Sequence, residues 1–281
     1  MIGRLLRFWQ SASGKPSVTA PTQTQTPQPP ERPASAFHDI ALRDLSESGW
    51  FNVARGELYP HFPVTEDDVV VDVGCGDGGH AVFCASRGAQ VAVVDIDEGK
   101  IAATLNFAAN QGVTRLIPIV SDSSPLPLPD GFASRIIAAE VLEHVDDTAA
   151  FLGELVRVGR SGSLFLLTVP DPVSQGLQKH LAPPLYFEKP NHVRIVGRDE
   201  FAQMVTDAGL EIVHRGAYGF YTAMWLQFFW TAGVPLGSRH PLLDRWSDTW
   251  HALLATPDGL KVKAVLDAFM PASQSIVARK P

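Results

Sequence analysis

Cysteine is scarce in this chain. Among 281 residues there are two, Cys75 and Cys84, with no CxxC pair and no secretory signal, so neither a disulfide framework nor a structural zinc site is indicated. A reducing, cytoplasmic compartment is the expectation. Positive charge is in deficit: 23 Lys and Arg stand against 30 Asp and Glu, a formal net charge of −7. The basic residues are scattered, so the field that draws nucleic acid to a protein is missing, and DNA or RNA is not expected as a partner. HExxH-like spacing and acidic clusters are also missing, and no metal is expected. The longest stretch without charge, between Arg215 and Arg239, is interrupted by Gly216, Gly219, Gly233 and Pro235. Its clearly apolar core is about 14 residues, too short for a membrane span.

What is present fits a folded globular body, with 45% hydrophobic and 19% charged residues. Met1 to Gln10 mixes Arg4 and Arg7 with Leu5, Leu6, Phe8 and Trp9, which reads as a frayed terminus or a weak surface anchor. Ser11 to Ser35 is rich in Pro, Thr, Gln and Ser and has almost nothing to bury. Residues 1–36 are therefore expected to be a disordered arm and linker. Residues 37–281 form the expected folded domain.

Phe37 to Tyr59 reads as one or two helices. Val69 to Val73 is an apolar run of the kind buried on both faces of a sheet. Further strands are predicted near Gln90–Asp95, Arg115–Val120, Ser134–Ala139, Ser163–Val169 and Leu210–His214. Helices are predicted near Gly79–Arg87, Glu98–Asn110, Asp147–Val158 and Arg198–Ala208. Such alternation implies an α/β fold, doubly wound on a mostly parallel sheet.

Between the first of these strands and its helix lies Asp72-Val73-Gly74-Cys75-Gly76-Asp77-Gly78-Gly79, where glycines let the backbone turn tightly and approach a ligand. Gly74, Gly76 and Gly79 also satisfy the dinucleotide pattern GxGxxG. Asp72 weighs against that reading, because a fixed carboxylate would repel a pyrophosphate placed beside it. It suits the ammonium and sulfonium of S-adenosylmethionine, or it caps the following turn. Asp95 ends the second strand at about the spacing from which a carboxylate accepts from ribose hydroxyls, a feature both cofactors share. Asp97 reads as a helix cap.

In order and spacing, Asp72-Val73-Gly74-Cys75-Gly76, Val94-Asp95-Ile96, Ser121-Asp122-Ser123 with Leu126-Pro127-Leu128, and Glu140-Val141-Leu142-Glu143-His144-Val145 resemble the motifs of class I S-adenosylmethionine-dependent methyltransferases. The likeness is to the small-molecule branch that includes ubiquinone-biosynthesis enzymes, methyltransferase type 11. Asn191-His192-Val193-Arg194 and Ser273 to Lys280 extend it toward the end of the chain. The resemblance implies a seven-stranded Rossmann-like sheet closed by an antiparallel strand, and S-adenosyl-L-methionine as cofactor. It places the loop of Gly74, Cys75, Gly76 and Gly78 at the methionine portion, Asp95 on the ribose, Ile96 against adenine, and Asp122 with Ser123 near the adenine amino group. Asp77 departs from the small or hydroxyl residue common at its position.

Methyl transfer is an in-line displacement for which positioning supplies much of the rate, and a base helps only a protonated acceptor. His144 and His192 are the base candidates, with His144 read in preference as ordering the loop after the fourth strand through backbone hydrogen bonds. Glu140 is expected to contact cofactor or acceptor, and Glu143 to be solvated or capping. The aromatic stretch with Phe220, Tyr221, Trp225, Phe228, Phe229 and Trp230 is expected to lie in a helical insertion over residues 219–270. That helix reads as a buried packing element, a cover for the acceptor pocket, an oligomer interface or a membrane-interface surface. The activity expected is methylation of a small-molecule or lipid/glycan-type acceptor at oxygen, with room for peripheral membrane contact. An NAD-dependent oxidoreductase and a catalytically silent binding protein stay open as alternatives.

Overall fold

The computed structural model describes residues 35–281. The arm and linker expected over residues 1–36 lie almost wholly outside the described residues. Nine strands are described: β1 Glu57–Tyr59, β2 Phe62–Pro63, β3 Val69–Val73, β4 Gln90–Asp95, β5 Leu116–Val120, β6 Ala133–Ala139, β7 Gly159–Pro170, β8 Glu211–Tyr218 and β9 Ser273–Arg279. Seven of them make one sheet in the order β5-β4-β3-β6-β7-β9-β8, and β1-β2 form a separate two-stranded ladder. The pairs from β5 through β7 are parallel, while β9 runs antiparallel between β7 and β8. The predicted doubly wound sheet and its antiparallel closing strand are both present.

The alternation of Val69–Val73 explains why β3 is central. Val71 and Val73 enter one core with Ala92, Val94, Ile136, Ala138, Phe165 and Leu167. Val70 enters the other, with Val91, Val93, Ile137 and Leu166. A strand covered on both faces must be apolar on both, so it shows a continuous run rather than alternating polarity.

Helices follow the strands: α1 Ser35–Glu47, α2 Gly79–Ser86, α3 Glu98–Asn110, α4 Thr148–Val158, α5 Pro172–Gln178, α6 Arg198–Asp207, α7 Phe220–Ala232, α8 Pro241–Leu254 and α9 Gly259–Phe269. Asp97 caps α3 by accepting from the Gly99 amide at 2.8 Å, and Asp147 caps α4 by accepting from Ala150 at 2.9 Å.

Two local expectations need correction. Phe37 to Tyr59 is not all helix: α1 ends at Glu47, and the chain then turns through Gly49 and Gly56, both at positive φ, into β1, where Leu58 and Tyr59 are buried. β8 runs on to Tyr218, because its ladder with β9 extends to the pair Tyr218–Ser273.

The aromatic α7 is packed inside. Tyr221, Trp225, Phe229 and Trp230 form a third core with Trp250 and Leu254 of α8 and with Tyr186. This burial removes its aromatic face from the membrane-surface reading. Among the described residues no helix is long and apolar enough to cross a membrane. A buried charge network fastens the same region. Lys263 Nζ lies 3.1 Å from Asp44 and 2.6 Å from Asp267, and it donates to Ser48 Oγ at 2.7 Å. Asp44 also accepts from Trp250 Nε1 at 2.8 Å, and Asp267 accepts from the Phe220 amide at 2.8 Å. Helices α1, α7, α8 and α9 are thus joined by groups whose loss would strand a charge in the core.

Candidate active site

Parallel pairing brings the carboxyl ends of β3, β4 and β6 together, since Val73 stands opposite both Val94 and Ala138. The chain order changes direction between β3 and β6, the kind of place where an open α/β sheet leaves a crevice for ligand. Into it runs the glycine loop. Gly74, Gly76 and Gly78 have φ of +68°, +58° and +82°, a region that side chains other than glycine enter at a cost. Two of these glycines differ in their surroundings. A Cβ on Gly78 would meet Thr104 Cγ2 at 2.7 Å, whereas a Cβ on Gly76 would find nothing nearer than the Gly74 carbonyl oxygen at 3.8 Å. Gly78 is therefore required by packing and Gly76 by its backbone shape, with open space above it.

The loop is tied from both sides. The Gly74 and Cys75 amides donate to the Val94 carbonyl at 2.7 and 3.1 Å, and Thr104 Oγ1 donates to the Gly76 carbonyl at 3.1 Å. Cys75 is buried beneath it. Asp95, 2% exposed, accepts from the Gly76 amide at 3.4 Å and from Asp97 at 3.1 Å. The next residue, Ile96, is 70% exposed, so an apolar side chain open to solvent directly follows a buried carboxylate. Asp72 is buried within β3. Asp122 is exposed and accepts from the Ser124 amide at 2.9 Å, and Ser123 beside it is buried with φ +65°.

Glu140 follows β6 at φ +57° and is buried; its Oε1 accepts from Thr168 Oγ1 at 2.8 Å. A non-glycine residue in this conformation carries backbone strain that the surrounding structure must hold, as is frequent at functional sites. Glu140 lines a pocket, partly open to solvent, with Trp50, Phe51, His80, Tyr218 and Thr222. His80, the first residue past Gly79, stacks on Trp50 and on Phe51 with ring centroids 5.0 and 5.9 Å away. Burial against these rings pushes its pKa down, favouring neutral imidazole. Thr222 places one turn of α7 in the cavity wall, so that helix both packs and borders the pocket.

The sequence gives no period or motif for Trp50, Phe51 or Tyr218, which reach the cavity from a turn and a sheet edge. His80 could have been found from its place directly after the glycine loop.

Expected base candidates His144 and His192 come together, with ring centroids 5.0 Å apart in an edge-on arrangement. His144 Nδ1 donates to the carbonyl oxygens of Asn191 at 3.0 Å and Pro190 at 3.3 Å, since a carbonyl can only accept. His192 Nδ1 contacts the Gln175 amide. Glu143, expected to be solvated, is 1% exposed, and its Oε1 lies 3.5 Å from His144 Nε2. Spacing along the chain concealed this group, because His192 arrives from a loop almost fifty residues downstream.

Residues 71–167 match a family model described as a methyltransferase domain. A Mycobacterium tuberculosis protein named as a probable S-adenosylmethionine-dependent methyltransferase is 29% identical over 166 residues, 58% of this chain and 56% of its own. Ajmaline N-methyltransferase from Rauvolfia serpentina is 26% identical over 140 residues, 49% of this chain and 46% of its own. The chain thus spans about half the length of the curated relatives it matches. Among solved structures, geranyl diphosphate C-methyltransferase from Streptomyces coelicolor A3(2) shares the fold with a TM-score of 0.54 and 15% identity, covering 87% of this chain and 79% of that one. A [4+2]-cyclase shares it equally, with a TM-score of 0.54 and 20% identity over 87% of this chain and 94% of its own. Over residues 71–167 the chain is thus similar to a methyltransferase domain, and it resembles relatives named as S-adenosylmethionine-dependent methyltransferases.

Proposed function

We propose that the protein transfers a methyl group from S-adenosyl-L-methionine to an oxygen of a small-molecule or lipid/glycan-type acceptor. The observation that carries this reading is the convergence of the open glycine loop, buried Asp95 and exposed Ile96 at the carboxyl ends of β3 and β4. The donor set fits an adenosyl ligand: a buried carboxylate for ribose hydroxyls, an apolar wall for adenine, and no bulk above Gly76. When bound, the cofactor supplies a methyl carbon already activated by the sulfonium.

In this account Asp72 stands near the ammonium end, Gly74, Cys75, Gly76 and Gly78 shape the floor under the methionine portion, and Asp122 with Ser123 borders adenine. Glu140 faces the junction of cofactor and acceptor. The chain's main work is positioning: two reactants held in line save up to roughly 7–11 kcal/mol of the barrier. The cavity of Trp50, Phe51, His80 and Tyr218 holds the acceptor, with residues 219–270 as its cap. Its aromatic walls suit an acceptor with an apolar part.

Calorimetric titration with S-adenosylmethionine, S-adenosylhomocysteine, NAD and NADP tests the reading. Selective binding of the two sulfur ligands supports it, and selective binding of nicotinamide nucleotides overturns it. Turnover then separates an enzyme from a silent relative, because the shared fold does not fix the chemistry.

A further inference from the structure

We propose that Glu143, His144 and His192 bind a divalent transition-metal ion that keeps open coordination positions. Sequence spacing indicated no metal; the fold assembles one ligand atom from each of these three residues within 4.8 Å of one another. Two imidazoles and a carboxylate are a donor set suited to first-row ions, and three protein ligands leave coordination positions open.

The geometry of His144 carries the argument. Its Nδ1–H is committed to the Asn191 and Pro190 carbonyls, so in the neutral ring Nε2 carries the lone pair. That lone pair faces Glu143 Oε1 at 3.5 Å. Two acceptors face each other only with a cation between them, a proton or a metal ion. Charge-assisted N–H···O contacts are usually about 2.7–2.9 Å. Two donors on one ion at bonds of about 2.0–2.2 Å stand about 3.0–3.4 Å apart, nearer the spacing observed. A carbonyl holding the far nitrogen of a ligand histidine is the usual outer support of such a site.

His192 is held at Nδ1 by Gln175, which leaves Nε2 as its ligand atom. Ligation requires the Gln175 amide oxygen, rather than its nitrogen, to accept from Nδ1–H. That oxygen is buried without a hydrogen-bond partner among the described residues, and turning the amide end for end supplies one. The two supporting loops are already fastened. Val193 N donates to the Glu143 carbonyl at 3.0 Å, and Arg194 donates to the Val145 and Asp146 carbonyls at 2.7 Å each.

Ion binding here stands apart from the methyl-transfer reading, since the three ligand residues are none of those that line the cavity assigned to the acceptor.

The test uses the full chain, freed of metal by chelator and titrated with Co²⁺ while d–d absorption is followed. One Co²⁺ per chain is expected, weakened roughly 10–100-fold or more in Glu143→Gln and in His192→Ala and unchanged in His61→Ala. His61 is the control because it forms a separate pair with His214, ring centroids 4.7 Å apart. No Co²⁺ absorption in the unmodified chain overturns the site, as does binding lost in His61→Ala but kept in the other two. S-adenosylmethionine binding on the same preparation reports the donor reading separately, so donor binding without Co²⁺ binding sinks the ion alone.

Discussion

The Gly76 amide donates to Asp95 Oδ2 across 3.4 Å, joining the glycine loop to the end of the neighbouring strand. The group assigned to the ribose therefore also shapes the loop assigned to the methionine portion. Asp95→Ala is expected to weaken S-adenosylmethionine binding by at least the roughly 1.5–3 kcal/mol of a hydrogen bond to a charged group, and to lower the melting temperature as well, because the Gly76 and Asp97 amides lose their acceptor. A variant that binds like the parent in calorimetry would remove Asp95 from the site.

Two glycines should separate stability from binding. Gly78→Ala meets Thr104 Cγ2 at 2.7 Å as well as the cost of its φ of +82°, so it should destabilise by about 1–3 kcal/mol beyond the backbone term. Gly76→Ala meets no close atom and should lose only the backbone term of about 1–2 kcal/mol. Its added methyl enters the crevice, so cofactor affinity should fall more than folding stability. Urea unfolding beside calorimetry checks both, and equal destabilisation by the two variants would contradict the assignment.

Asp44 makes a pH prediction. Burial pushes its carboxyl up from 3.8 to about 6, against the opposing pull of Lys263. Between those values the folded chain holds a proton that the unfolded chain has released. The group's contribution is therefore fully present below the unfolded value and lost as pH rises through about 6, on the order of 3 kcal/mol. Asp44→Asn keeps the Trp250 contact without titrating, so its stability relative to the parent should rise from pH 4 to pH 7. A relative fall over that range, in denaturant titrations at each pH, would contradict the direction.

His192→Ala should spare cofactor binding and reduce turnover, whereas His144→Ala should also loosen the loop held through Asn191 and Pro190. Comparing cofactor Kd with kcat for each variant checks this division of roles. Equal loss of binding in both would end it.

Legibility from sequence followed the range of the interactions involved. The Val69–Val73 run, the Gly74–Gly78 loop and the cap Asp97 are local devices, and each was readable because its cause lies within a few residues. The mainly parallel character of the sheet followed from helix–strand alternation, and its antiparallel closing strand from the resemblance. What escaped depends on distant chain: Trp50 beneath His80, the burial of Glu143, and the meeting of His144 with His192. For Phe220–Trp230 the sequence left burial, pocket cover and surface roles open; the partners that bury it, α8 and Tyr186, come from elsewhere in the chain.

The most direct test of the central claim is calorimetry of the purified protein with S-adenosylmethionine against NAD. The account predicts saturable binding of S-adenosylmethionine and S-adenosylhomocysteine, weakened in Asp95→Ala, with no heat from NAD; saturable NAD binding with none for the sulfur ligands would contradict it.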